Sequence, residues 1–235
     1  MYWIDGYADL YQEVQGFEIV ILRNKELGDI DAYLSMKQST RSTYDIAMRD
    51  ATIDGLITME DISLLKPSQL FYKKIDPNEI FIIQAVNKLE QQPKTKNMNA
   101  IKQNSSVTVF RKQYVSKKKK ELYVPVHENV VSFMSLQNKD EKNFAAGLED
   151  NTIINIQIPK IDFVNNVIYD VKISDRILVR DYLKSRKEYV KVESVDAYGV
   201  PGVIRIQGTF DTRTGDNEYL ISNEMSSDYD AWIWN

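Results

Sequence analysis

Apolar and polar residues alternate with a period of two along much of this chain, and the clearest alternation runs from Ser174 to Phe210. Ile177 and Val179 alternate with polar neighbours; after the charged turn Lys184-Ser185-Arg186-Lys187, Tyr189, Val190, Val192 and Val195 form a second β-branched and aromatic run. Tyr198-Gly199-Val200-Pro201-Gly202 interrupts it, because proline fixes φ and glycine supplies positive φ, and Val203-Ile204-Arg205-Ile206 resumes as a third strand. The pattern predicts a β-meander.

The rest of the chain reads the same way. Ile19 to Arg23 is a strand by β-branched density. Between Tyr33 and Ile57 the signal is mixed: Ile46, Ala47, Met48 and Ala51 suit a short helix, and Ser39 to Thr43 suits a loop. Leu56 to Met59 and Ile62 to Leu65 read as strands, the latter ended by Pro67, and Leu70 to Tyr72 pairs with Ile80 to Ile83 across Asp76-Pro77-Asn78. Glu90 to Ser106 is polar and unpatterned, which predicts a linker or long loop. Val107 to Arg111 and Leu122 to Val126 are strands flanking Lys117 to Lys120, Val130 to Met134 is a further strand, and Thr152 to Pro159 alternates up to its proline.

Composition narrows the function classes. The chain of 235 residues has an apolar share of 43%, no run of about 18 apolar residues and no signal-peptide pattern, so it is expected to be made in the cytoplasm and to involve no membrane. It has no cysteine and one histidine, His127, which removes thiolate chemistry and argues against triads and histidine metal clusters. No catalytic residue, cofactor site or metal site is expected. Asp211, Asp216 and Glu218 with Gly215 form an acidic turn without the register of a calcium loop. A formal charge of −4 argues against polyanion binding by the whole surface, while a local basic lining stays open.

Comparing the two halves gives an ordered correspondence. Val20 to Arg23 matches Thr108 to Arg111, Leu56-Ile57 matches Thr152-Ile153, and Glu79 to Val86 matches Glu188 to Val195. The expected fold is all-β: two small antiparallel β-barrels in tandem with long loops and extended aromatic termini. The divisions are an N-terminal arm (1–18), a first barrel (19–90), a linker or long loop (91–106), a second barrel (107–211) and a C-terminal arm (212–235).

Residues 107–210 carry a more specific pattern. The opening strand ends in a basic residue, Thr108-Val109-Phe110-Arg111. A long hairpin follows, then Phe144-Ala145-Ala146-Gly147, the strand Ile153 to Ile158 ending at Pro159, Ser174-Asp175-Arg176-Ile177, and Glu188 to Asp196. This pattern resembles the head-tail joining proteins of tailed bacteriophages, also called head-closure, stopper or neck proteins; in the first half Ser68-Gln69-Leu70 stands where that family has Ser-Asp-Arg. The resemblance implies a virion protein of the neck, synthesised in the host bacterial cytoplasm. It would form a homo-oligomeric ring, a dodecamer on the portal, with the portal or adaptor above, the tail or next neck protein below and double-stranded DNA passing through. It implies no catalytic residue.

Within that reading Lys117, Lys118, Lys119 and Lys120 are candidates to face DNA in a channel or a neighbouring subunit, and so are Lys94, Lys96 and Lys102; the alternatives are a solvated hairpin tip and a linker. Trp3, Tyr229, Trp232 and Trp234 are candidates to dock on a neighbouring subunit, since aromatic side chains near a terminus need a partner surface. Two other readings fit the composition. One is a tail-terminator or baseplate structural protein; the other is an OB-like module binding single-stranded nucleic acid, for which Tyr182 to Lys191 offers interleaved aromatic and basic residues.

Overall fold

A computed structural model describes residues 18–23, 28–38, 51–88, 94–116, 119–138, 152–181 and 186–211. These residues form two closed antiparallel barrels of six strands each. Barrel one comprises β1 (Glu18–Leu22), β2 (Ile30–Gln38), β3 (Thr52–Thr58), β4 (Leu70–Lys73), β5 (Asp76–Lys88) and β6 (Thr95–Lys102). Barrel two comprises β7 (Ser105–Val115), β8 (Lys120–Asn138), β9 (Thr152–Pro159), β12 (Arg176–Asp181), β13 (Arg186–Asp196) and β14 (Val203–Phe210). The small hairpin β10 (Ile161–Asp162) and β11 (Val167–Ile168) lies between β9 and β12. The predicted meander is β12-β13-β14, paired in that order.

The barrels share one strand order. Labelled by position within its own half, each closes as first, second, third, sixth, fifth, fourth and back to first. Ladder registers make the equivalence residue-specific. β5 loses register with β6 between Ile83 and Ala85, and β13 loses register with β14 between Val192 and Ser194. The extra residues are Gln84 and Glu193, which the matching of Glu79–Val86 with Glu188–Val195 places opposite each other. A bulge is a positional feature of a fold, so its recurrence fixes the correspondence.

Two of the predicted matches fall on equivalent strands at the wrong residues. Leu22 faces Phe71 and Val109 faces Ile177, which makes Leu22 the counterpart of Val109 and shifts the β1–β7 match by one residue. In β3 and β9, Ile53 corresponds to Ile154, five residues away from the match of Leu56-Ile57 with Thr152-Ile153. Both shifts are odd, and an odd shift exchanges the inner and outer faces of a strand.

Inward positions fill each barrel. Val20, Leu22, Leu34, Ile57, Phe71, Phe81 and Ile83 are buried in barrel one, where Phe71 and Phe81 stack with centroids 4.9 Å apart. Val107, Val109, Ile154, Ile156, Ile158, Ile177, Val190 and Val192 fill barrel two. Side chains occupy the interior, as expected for so few strands.

Several expectations change. The segment 91–106 is not a linker or loop across its described part: Thr95–Lys102 is the strand that closes barrel one, and Ser105 already begins barrel two. Only Gln103 and Asn104 connect the barrels, so barrel one ends at Lys102. Its inward residues Met98 and Ala100 alternate with asparagines, which hid the strand among polar residues. Leu122–Val126 and Val130–Met134 belong to one long strand, β8, whose irregular pairing accommodates Pro125. Ile62–Leu64 is a 3-10 turn capped by Asp61, whose carboxylate accepts from the Ser63 amide. The helix considered around 46–51 lies largely outside the described residues, as do both proposed arms except Glu18, which begins β1.

Candidate functional site

Among the described residues, the most developed polar and apolar constellation is the seam between the barrels. Lys66-Pro67-Ser68-Gln69 and Lys172-Ile173-Ser174-Asp175 are the same turn in the two halves. Ser68 and Ser174 have φ of 78° and 77°, and the amides of Gln69 and Asp175 donate to the carbonyls of Lys66 and Lys172. Positive φ at the third residue with a first-to-fourth hydrogen bond is the pattern of a type II turn, and Pro67 suits its second position. Each turn is tied to the bulged strand alike: Ser68 N donates to Ile83 O at 2.8 Å, and Ser174 N donates to Val192 O at 3.1 Å. The side chains repeat too, since Gln69 Oε1 accepts from Lys66 N and Asp175 Oδ2 accepts from Lys172 N.

In barrel one this turn and bulge receive the loop before β14. Gly202 N donates to Gln84 O at 2.7 Å, Ser68 Oγ donates to Gly202 O at 2.7 Å, and Gln84 Nε2 donates to Gln157 Oε1 at 2.6 Å. A Cβ at Gly202 would lie 2.1 Å from Ile83 O, so the backbone approach requires glycine. Beside these bonds Ile82 and Ile101 of barrel one pack on Phe133 and Val203 of barrel two, all buried, with Leu70, Val131 and Val200 around them. The connector is pinned on both sides. Gln103 N donates to Ile80 O, while Asn104 Nδ2 donates to Met134 O and its Oδ1 accepts from Met134 N. The barrels are therefore joined as one body along this seam.

Barrel two holds the motif that the resemblance singled out. Arg111 donates from Nε and Nη2 to the two carboxylate oxygens of buried Asp175, at 3.0 and 2.8 Å, and from Nη1 and Nη2 to Asp170. The Asp175 bonds above all hold the Arg111 guanidinium above its ordinary pKa. Arg176 donates to Asp211 and lies over the Tyr123 ring at 5.2 Å. His127 Nε2 accepts from Asp170 N at 3.0 Å, its ring edge meets Tyr169, and burial pushes its pKa below the usual histidine value. Tyr169 in turn donates to Asp162, which also accepts from Val164 and Asn165; burial opposes its ionisation, yet these bonds lower its pKa. Every polar side chain of this cluster faces a partner within it, which suits a latch between β7, β8 and the β11–β12 connection. Among the described residues no group of three or more His, Cys, Asp or Glu side chains is placed to hold a metal ion.

The predicted site residues are dispersed. Lys119, with φ of 51°, and Lys120 are exposed at the tip of the β7–β8 hairpin; Lys117 and Lys118 lie outside the described residues. This hairpin pairs out to Val115 and Lys120, beyond Phe110, where the β7 pairing with β12 ends. Lys94 is exposed at the entrance to β6. Lys96 donates to Ile62 O and Lys102 pairs with Glu79. Those two lysines serve barrel one and do not join the hairpin tip in a common basic surface. Trp3, Tyr229, Trp232 and Trp234 lie outside the described residues. Sequence reasoning missed the seam, although the repeated Lys-x-Ser-Gln/Asp tetrapeptide was a signal for half of it.

No family model and no curated protein matches this sequence. Among solved structures, MrkH of K. pneumonia in its apo state is similar at 7% identity and a TM-score of 0.18, covering 89% of this chain and 84% of that one. The MrkH complex with c-di-GMP is similar at 7% identity and a TM-score of 0.17, covering 90% and 87%. Likeness at this level carries no argument about this chain.

Proposed function

We propose that this chain is a structural subunit of a tailed-phage virion, a neck or head-closure protein that forms a ring between portal and tail. The observation that carries this reading is the fusion of two barrels of identical strand order into one body. The seam has an apolar centre, buried amide pairing and a glycine contact that admits no side chain. A tandem so joined is a spacer of fixed height, which is what a conduit segment between two larger machines requires. The second barrel adds support, because the residues that carry the resemblance are held together: Arg111 pairs with Asp175, and Arg176 donates to the Ser174 carbonyl. In this role the portal or an adaptor lies above the ring, the tail or another neck component below, and double-stranded DNA passes along its axis. The exposed Lys119 and Lys120 tip faces the lumen or a neighbouring subunit.

The test is a symmetry-averaged electron cryomicroscopy map of the neck of virions that carry the chain. Density for two stacked barrels per subunit in a ring below the portal supports the reading. Density at the tail end moves the chain to a tail-terminator or baseplate role, and absence from particles rejects a structural role.

A further inference from the structure

The strand registers say which residues of each barrel occupy the positions that the other barrel uses at the seam. Barrel one meets the seam with Leu70, Ile82 and Ile101. The ladder pairs place Arg176, Lys191 and Thr209 at those positions of barrel two. Barrel two meets it with buried Phe133 and Val203, whose counterparts in barrel one are Ser35 and Thr95, and with half-buried Val131, whose counterpart is Tyr33. Five of these six apolar seam residues are thus matched by polar ones, and Val131 by a tyrosine, on the equivalent faces outside the seam.

The specific contacts are lost in the same way. Gln84 and Gln157, which hydrogen-bond across the seam, correspond to Glu193 and Leu56, a carboxylate and an aliphatic side chain with nothing to exchange. Gly202 corresponds to Lys94. Since a Cβ at Gly202 would meet Ile83 O, Gln84 O and Ser68 N at 2.1 to 2.7 Å, a lysine there is incompatible with the approach. Lys191 and Glu193 are exposed, and Thr209 Oγ1 donates to Glu193. Covering such a face with an apolar one would desolvate both charges without compensation.

We propose that the two end faces, the ones equivalent to the seam, are built to refuse another barrel, so that a second copy of the chain docks on neither end. Head-to-tail contacts that repeat one rotation generate open filaments unless they close, and a tandem repeat with two compatible ends is exposed to that outcome. Polar outer faces on terminal repeats prevent it. Contacts between copies then use other faces of the barrels. The inference rests on the internal repeat and does not depend on the place proposed for the chain in a virion.

The test restores the seam chemistry at the ends of the full chain with Lys94→Gly, Lys191→Ile and Thr209→Ile together. Self-association is followed by sedimentation velocity over a concentration series. End-to-end contact is read with a short bismaleimide between Leu56→Cys copies and Glu193→Cys copies, a clean pair because the chain has no cysteine of its own. The expected result is at least about tenfold tighter self-association of the restored chain, from the apolar area returned to its ends, with mixed cross-links appearing only in that background. Lys191→Ile alone, at an exposed position, makes the same comparison with a smaller shift if the triple variant does not fold. The proposal is overturned if the natural chain already cross-links between these two positions as efficiently as the restored one. It is also overturned if the restored chain folds and associates no more tightly. A ring of virion subunits joined through these ends would overturn it while leaving the proposed role intact.

Discussion

Gln84 of barrel one and Gln157 of barrel two hydrogen-bond side chain to side chain at 2.6 Å, both buried, across a sequence separation of 73 residues. The bond bridges a bulge in one barrel and a regular strand in the other, so neither barrel supplies it alone. Gln84→Leu leaves the Gln157 amide buried without this partner and is expected to cost about 1–3 kcal/mol, whereas Gln84→Leu with Gln157→Leu should return most of that loss. Urea unfolding of the two single variants and the double variant measures the coupling. Equal costs that simply add would show that the two side chains do not couple across the seam.

Gly202 is the tightest point of the same contact. Gly202→Ala places a methyl group against the Ile83 carbonyl and is expected to destabilise by about 1–3 kcal/mol, because backbone on one side cannot rotate away as a side chain can. The loss should fall on the seam, so thermal unfolding of the variant should separate into two transitions where the parent shows one.

The two positive-φ serines should respond differently to glycine. At Ser174 the side chain is exposed and the backbone is left-handed, so Ser174→Gly is expected to stabilise by about 1 kcal/mol. Ser68 has the same φ but donates to Gly202 O, so Ser68→Gly exchanges relief of that strain for a lost buried bond and should be neutral or destabilising. Denaturation midpoints of the two variants decide it, and an equal gain at both sites would contradict the assigned role of the Ser68 hydroxyl.

Asp175 is buried against Arg111. Asp175→Asn is expected to cost about 3 kcal/mol, near the lower end for breaking a buried pair because Arg111 keeps some solvent and Asp170 as a partner. Unfolding of Asp175→Asn and of Arg111→Met separately, and then together, gives the coupling energy of the latch.

His127 gives the latch a pH dependence of defined sign. Arg111, Asp170, Asp175 and Tyr169 surround the ring; burial lowers its pKa in the folded state, and its Nε2 accepts from the Asp170 amide, a bond that the protonated ring cannot make. The folded protein therefore binds this proton less readily than the unfolded chain. Its contribution is full above the ordinary histidine pKa and is lost as pH falls through that value toward the lower folded one. Between about pH 7.5 and pH 5 the parent should lose more stability than His127→Gln, read as the shift in denaturation midpoint. Parallel curves would show that His127 does not titrate between the two states.

Alternation with period two is a local property, and it made most strands and the β12-β13-β14 meander readable from residues alone. The matching of Glu79–Val86 with Glu188–Val195 was likewise legible, because both segments carry the same pattern around the same bulge. The matches at β1–β7 and β3–β9 slipped because short β-branched runs look alike in either register, and only ladder pairing tells inner from outer positions. Tertiary structure alone decided the rest. Thr95–Lys102 reads as a polar linker until barrel closure buries Met98 and Ala100 on one face and the second barrel covers Ile101 on the other. Whether an outward isoleucine is a seam residue, or an outward lysine an end residue, depends on what lies across from it, and a sequence records only what lies beside it.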